Sequence, residues 1–349
     1  ESMTVSEKRR VLEVPSLFDP IKLGALEIPN RVALSPMCQY MATNKNGVPE
    51  NWHFVHLVSR AIGGTGLILT EMTNVEARGR ITEKCLGLYN DEQMEAFKSI
   101  INEVHRYGSK IGIQLAHAGR KSVIEGGDIV APSPIPFSDK SPVPRELTIE
   151  ELKTIITRFA ESAKRAVQAG FDTIELHGAH GYLLHQFMSP ASNKREDEYG
   201  EYTKFPLEII RAVKKVIPEE MPLIFRVSAV EYSEGGYTLD DMIEMCKQFV
   251  EAGVAVFDVS TGGDCPIRPE VYPAYQVKYA KAIKQALEVP VISVGRLEDP
   301  NVAESVLRQN QADMVCIGKG MLRNQYWVKE AARTLGVDFE LPGVYNLGI

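Results

Sequence analysis

Eight short apolar runs, each too short for a buried helix and each bounded by glycine, proline or polar residues, limit what this chain can fold into. They fall at residues 31–35, 66–70, 110–115, 172–176, 222–227, 254–259, 290–294 and 312–317. Segments of helical period lie between them. The clearest places Leu152, Ile155, Ile156, Phe159, Ala163 and Val167 on one face, with Glu161 and Arg165 four apart on the other. Gly63, Gly108, Gly170 and Gly253 each stop such a segment just before the next run, where a helix end favours a left-handed residue. Strands alternating with helices imply parallel βαβ units. Eight of them predict an α/β fold, a single (β/α)8 TIM barrel. An open doubly wound sheet is the rival, but G-x-G-x-x-G is missing at the first strand. The nearest match, Gly318-Lys319-Gly320, stands at the last and runs on into Met321-Leu322-Arg323.

Two features flank this rhythm. Residues 17–30 alternate around Gly24-Ala25, with Ile21 and Leu23 facing Leu26 and Ile28, which predicts an N-terminal β-hairpin. After the third strand, residues 118–148 hold Pro132, Pro134, Pro136, Pro142 and Pro144. A proline-rich loop of that length in a compact domain is expected to be a functional lid. Residues 1–16 read as a poorly ordered N-terminal extension, 17–335 as the barrel and 336–349 as a C-terminal tail.

Composition bounds the partners. Among 349 residues, 46 acidic against 39 basic side chains leave a net charge of −7, without the basic field that nucleic acid or an anionic membrane surface would need. No long apolar run spans a membrane. The five cysteines, Cys38, Cys85, Cys246, Cys265 and Cys316, are odd in number and scattered, with no C-x-x-C pair. That argues against a disulfide framework, structural zinc or an iron–sulfur cluster and suits a reducing, cytoplasmic setting.

The C-terminal strand ends of a barrel form its active face, so the residues just past each run outline a site. The first strand delivers Ser35-Pro36-Met37-Cys38-Gln39-Tyr40, the second Glu71 and Met72, the third Gln114 and His117. The fourth delivers His177-Gly178-Ala179-His180-Gly181-Tyr182, two imidazoles and a phenol within six residues. The fifth supplies Arg226 and Ser228, the sixth Ser260-Thr261-Gly262-Gly263, the seventh Gly295-Arg296 and the eighth Gly318-Lys319. Glycines opening into helices beside Arg296 and Lys319 predict a phosphate site. Arg226 leaves a buried strand and needs an anionic partner, for which a bound cofactor is expected. No metal is expected: His177-x-x-His180 is a weak ligand pattern, and the first strand carries no H-x-H pair.

These motifs, with Ile113-Gln114-Leu115-Ala116-His117-Ala118-Gly119-Arg120, Phe187-Met188-Ser189-Pro190 with Asn193, and Arg226-Val227-Ser228, resemble the old yellow enzyme family of FMN-dependent ene-reductases. The likeness covers residues 17 to about 332 and is nearer the thermophilic-like subgroup, which carries a cysteine beside the flavin. It implies FMN as bound cofactor, NADPH or NADH as hydride donor, and reduction of the C=C bond of an α,β-unsaturated aldehyde or ketone. It implies that Ser35, Pro36, Met37, Cys38 and Met72 line the flavin, that Gln114 bonds its pyrimidine ring and Arg226 its N1–O2 edge, and that Gly295, Arg296, Gly318 and Lys319 hold its phosphate. His177 and His180 would donate to the substrate carbonyl, Tyr40 would close that pocket, and Tyr182 would supply the proton. Lys319 stands where arginine is usual and Met72 where a smaller residue is common. The tail Val344-Tyr345-Asn346-Leu347-Gly348-Ile349 has no arginine to reach a neighbouring subunit's site, so a homo-oligomer stays open.

Overall fold

The structure, a computed structural model, describes residues 14–348, so positions 1–13 of the expected extension lie outside the described residues. Strand β1 (Ile21–Leu23) pairs antiparallel with β2 (Leu26–Ile28), Ile21 opposite Ile28 and Leu23 opposite Leu26. Gly24, at φ +59°, makes the turn between them. The barrel strands are β3 (Val32–Leu34), β4 (Leu67–Asn74), β5 (Lys110–Ala116), β8 (Thr173–Gly178), β9 (Leu223–Ser228), β10 (Val256–Ser260), β11 (Val291–Val294) and β12 (Met314–Ile317), with β6 (Val130–Ala131) and β7 (Arg145–Glu146) in the long loop between β5 and β8. The eight are parallel in sequence order, and β12 pairs back onto β3. This is the (β/α)8 barrel read from the apolar rhythm.

Seven helices alternate with the strands: α1 (Asn51–Ile62), α2 (Asp91–Arg106), α3 (Ile149–Ala169), α5 (Lys204–Lys214), α6 (Leu239–Ala252), α7 (Val277–Leu287) and α8 (Pro300–Arg308). Helix α10 (Trp327–Leu335) follows β12, while the short α4 (Leu183–Met188) and α9 (Lys319–Arg323) begin at or just past strand ends. Helix α3 shows how local chemistry sets a boundary. Thr148 accepts from the Glu151 amide while Glu151 reaches back to the Thr148 amide, and Gly170 at φ +103° ends the helix. Gly108 and Gly253 are likewise left-handed. Gly63 is not: its φ is −70°, and it is small because a Cβ there would run into the Gln325 carbonyl.

Two-residue periodicity sorts the barrel interior into layers. The lower layer is apolar: Ala33, Leu67, Leu69, Ile224, Val256, Ile292 and Met314 pack together, and Ile21, Leu23 and Ile28 of the hairpin close them from the bottom. Higher in the barrel the inward side chains turn polar, at Ser35, Gln114, Glu175, Arg226 and Asp258, all buried. Strand β4 departs from its expected end. A bulge between Leu69 and Met72 carries it on to Asn74, so Met72 stands on the strand rather than after it. The polar run Thr70-Glu71 hid that continuation.

The proline-rich loop is pinned rather than loose. Arg145 and Arg78 both bond Asp128 and Glu151, and Arg120 donates to the carbonyls of Ile135 and Pro136. The buried Arg195 donates Nη1 to the carbonyls of Pro132 (2.9 Å) and Leu147 (2.6 Å). Leaving two such acceptors unpaired costs about 1–3 kcal/mol each. Arg195→Ala is therefore expected to destabilise the fold by roughly 2–6 kcal/mol and to open residues 118–148 to limited proteolysis. An unchanged cleavage pattern would show that the clamp lies elsewhere.

Candidate active site

The polar layer at the top of the barrel is one connected group. Gln114 Nε2 donates to Glu175 Oε2 at 2.8 Å, and Arg226 Nε meets Asp258 Oδ2 at 2.8 Å and Glu175 Oε2 at 3.9 Å. Arg226 Nη2 reaches Ser35 Oγ at 3.3 Å. Arg226 is thus not the unpartnered cation that the sequence suggested: the neighbouring strand supplies its counter-ion, Asp258 standing beside it in the β9–β10 register. Its second guanidinium nitrogen still borders Ser35 at the rim, so a ligand there meets a cation.

The β8 exit bears the imidazoles. His177 is buried; its Nδ1 accepts from the Ala179 amide at 3.3 Å. Burial, with the neighbouring His180 and Arg226, holds its pKa well below the ordinary histidine value. A neutral ring whose Nδ1 accepts must carry its proton on Nε2, so His177 presents one N–H donor. His180 is held neutral by burial and by Arg226. Its amide donates to Ser228 Oγ, and its Nε2 lies 2.6 Å from Ser260 Oγ, which leaves Nδ1 free. The two rings stand 5.3 Å apart and nearly perpendicular, and the Tyr182 ring lies 5.0 Å from that of His177. Burial raises the Tyr182 phenol above its usual range, so it stays protonated.

The turn that carries these groups is tight. His180 is left-handed at φ +61° and Gly181 at φ +75°. A Cβ on Gly181 would strike the backbone of Gly263, and one on Gly263 would strike His180. Behind the turn, His185 Nδ1 accepts from the Gly181 amide at 2.9 Å and Nε2 bonds Glu231 at 2.8 Å. His185, Glu231 and Asp264 lie close enough to suggest a cation site. Both imidazole nitrogens of His185 are engaged, and the Arg120 guanidinium sits on Asp264, so the cluster already carries its own cation.

A cavity of about 250 Å³ opens beside these strands, lined by Tyr275, Gly295, Arg296, Gly318 and Lys319 among others. The four expected phosphate residues therefore come together, although Arg296 also pairs with Glu298 at 3.1 Å. Cys38 packs with Met72, Cys85 and Tyr182. Burial pushes its thiol up to about 12, helped by Cys85 and Glu71. Cys38 is thus a neutral thiol, and Tyr40, 41% exposed, sits at the outer edge. Pro36 and Met37 continue the same segment, both partly exposed.

Residues 16–337 match the family model described as NADH:flavin oxidoreductase / NADH oxidase. An NADPH dehydrogenase of Listeria innocua is 48% identical over 334 residues, covering 95% of this chain and 98% of its own. The chain belongs to this family, that of the old yellow enzymes. Morphinone reductase, solved with tetrahydroNAD, superposes with a TM-score of 0.78 at 27% identity, over 94% of this chain and 93% of its own. 2-Naphthoyl-CoA reductase shares the fold at a TM-score of 0.86 and 24% identity over 92% of this chain, which spans about half (52%) of that longer protein. The protein is accordingly an FMN-dependent oxidoreductase that draws hydride from a nicotinamide. Among the described residues no helix is long and apolar enough to cross a membrane.

The strand-end reading missed Glu175, Asp258, Ser228 as an anchor, and Lys121, whose ammonium bonds the carbonyls of His180 and Gly263 and lies 4.9 Å from the Tyr182 ring centroid. A carboxylate inside an apolar barrel strand was the signal that could have found the first two. The buried imidazoles have a global consequence. Burial also lowers His53 and His56 to about 4. Below the free histidine value the unfolded chain takes up protons that the folded chain refuses, so stability is lost as pH falls from about 6.5 toward 4. Glu71, lifted by burial to about 8, and Glu175, also raised by burial, act the other way in that window. Four imidazoles against two carboxyls leave a net uptake of protons on unfolding, so stability falls as pH falls through this window. Urea midpoints are expected to drop steeply between neutrality and about pH 5; a flat profile would mean the imidazoles are solvated.

Proposed function

We propose that this enzyme reduces the C=C bond of α,β-unsaturated aldehydes and ketones, with His177 and His180 holding the carbonyl and Tyr182 giving the proton. The observation that carries the reading is the pairing of two neutral, perpendicular imidazoles with a protonated phenol 5.0 Å from one of them. The residues fit FMN by the chemistry of their donors. Gln114 and Arg226 offer an amide and a guanidinium at the barrel mouth, Ser35 to Cys38 form its edge, Met72 lies on the adjoining strand, and Gly295, Arg296, Gly318 and Lys319 bound a cavity suited to phosphate. When bound, FMN supplies hydride that it has taken from NADPH or NADH.

The protein's own part is electrostatic. Charge that develops on the carbonyl oxygen meets the Nε2–H of His177 and the free nitrogen of His180. Losing one such prepositioned donor typically costs on the order of 100-fold in rate or more. Tyr182, whose pKa burial has raised, keeps its proton until the substrate α-carbon accepts it. Tyr40, exposed beyond Cys38, would close the pocket from the outside. Five unpaired thiols suit a reducing, cytoplasmic setting. Tyr182→Phe is expected to slow alkene reduction by about 10²-fold or more while leaving flavin reduction by NAD(P)H nearly intact. Equal loss in both half-reactions, resolved by anaerobic stopped flow, would remove Tyr182 from its role.

A further inference from the structure

Among the described residues, the barrel holds one arrangement that the proposed chemistry leaves unused. Glu175 and Asp258 are both fully buried beside Arg226, and each has one oxygen without a partner in the protein, Oε1 and Oδ1 respectively. Glu175 Oε2 accepts from Gln114 at 2.8 Å and lies 3.9 Å from Arg226 Nε, which Asp258 holds at 2.8 Å. One cation thus stands against two carboxyls where little water can enter. Cys316 on β12 and Ser35 on β3 also face this group, and His177 and His180 on the β8 exit lie near Arg226; the thiol and hydroxyl carry no charge, and both imidazoles are held neutral, so none brings a positive charge.

We propose that Glu175 is a protonated positioning residue, sharing one proton with Asp258, so that Arg226 keeps a single counter-ion and faces an anion at the barrel mouth. The reason is a charge count. Were both carboxyls ionised, the group would sum to −1, an uncompensated charge in the interior and a field that repels an anionic ligand. With one proton held between them the sum is zero and each carboxyl has a partner, the arrangement that two close buried carboxyls adopt. Burial, then the charge of Asp258, drive Glu175 in that direction against the pull of Arg226. The same carboxyl orients Gln114 through its accepting oxygen, Oε2. Because its Nε2 donates to Glu175, its carbonyl oxygen is turned to accept from a ligand. The functional part of this inference rests on the proposed placement of the flavin; the protonation itself does not.

Infrared spectroscopy on the flavin-loaded protein reads the proton directly. A protonated carboxylic acid shows a carbonyl stretch that ¹³C-glutamate labelling displaces. Glu71 gives such a band too, but burial lifts it only to about 8, so spectra are taken at a pH well above that value. The expected result is a band that persists there, shifts with labelled glutamate and is missing in Glu175→Gln, a variant that copies the neutral form and keeps the bond to Gln114. The flavin midpoint potential of Glu175→Gln is expected to equal that of the wild type. Absence of the band, or a potential that rises in Glu175→Gln because a negative charge has been removed, would overturn the proposal. Should Glu175→Gln fail to fold, the labelled wild type alone decides, by the presence or absence of the band. The underlying placement of the flavin fails on a different result, unchanged FMN affinity in Lys319→Met, which leaves the infrared band standing.

Discussion

Closure of the sheet is the constraint on which everything else rests. When β12 pairs back onto β3, the eight strands have no free edge, and all their C-terminal ends meet at one rim. Inward side chains two residues apart on a strand then fall into successive layers. Apolar residues fill the bottom, and the hairpin strands close it. One step up, Gln114, Glu175, Arg226 and Asp258, from four neighbouring strands, meet in a space that admits little water. Buried charge is tolerated there because each group has a partner across the register.

Above that layer the structure trades regularity for placement. His180 adopts a left-handed backbone conformation, held by the Ser228 hydroxyl at its amide and by Lys121 at its carbonyl. Gly181 and Gly263 let two rim loops touch, and the His185–Glu231 pair supports the turn from behind. A strained backbone persists only where its surroundings over-determine it. The result fixes two imidazoles and one phenol on a single short segment, so that small shifts of other loops leave their mutual geometry intact.

Much of this is legible in the sequence because it rests on period and position. Eight apolar runs imply the barrel, Gly24-Ala25 implies the hairpin, and the strand ends name nearly every group at the rim, Tyr182 and Arg226 included. The features that escape depend on three-dimensional pairing. Asp258 reads as part of an apolar run, so Arg226 looks unpartnered until β9 and β10 are set side by side. The continuation of β4 past its bulge hides in a polar run, and the proline-rich segment looks like a lid because its anchors, Arg78 and Arg195, lie far away in sequence. Lys121 carries no motif of its own; its position against the His180 carbonyl comes from the fold alone.

The central claim is that this rim delivers hydride and proton to an activated alkene. Anaerobic single turnover tests it most directly: the flavin is reduced with one equivalent of NADPH, cyclohexenone is added, and the flavin spectrum and the ketone product are followed together. The account requires that the yellow colour return without oxygen and that one equivalent of cyclohexanone form per flavin. A flavin that stays bleached until air is admitted, with the enone recovered unchanged, would contradict it.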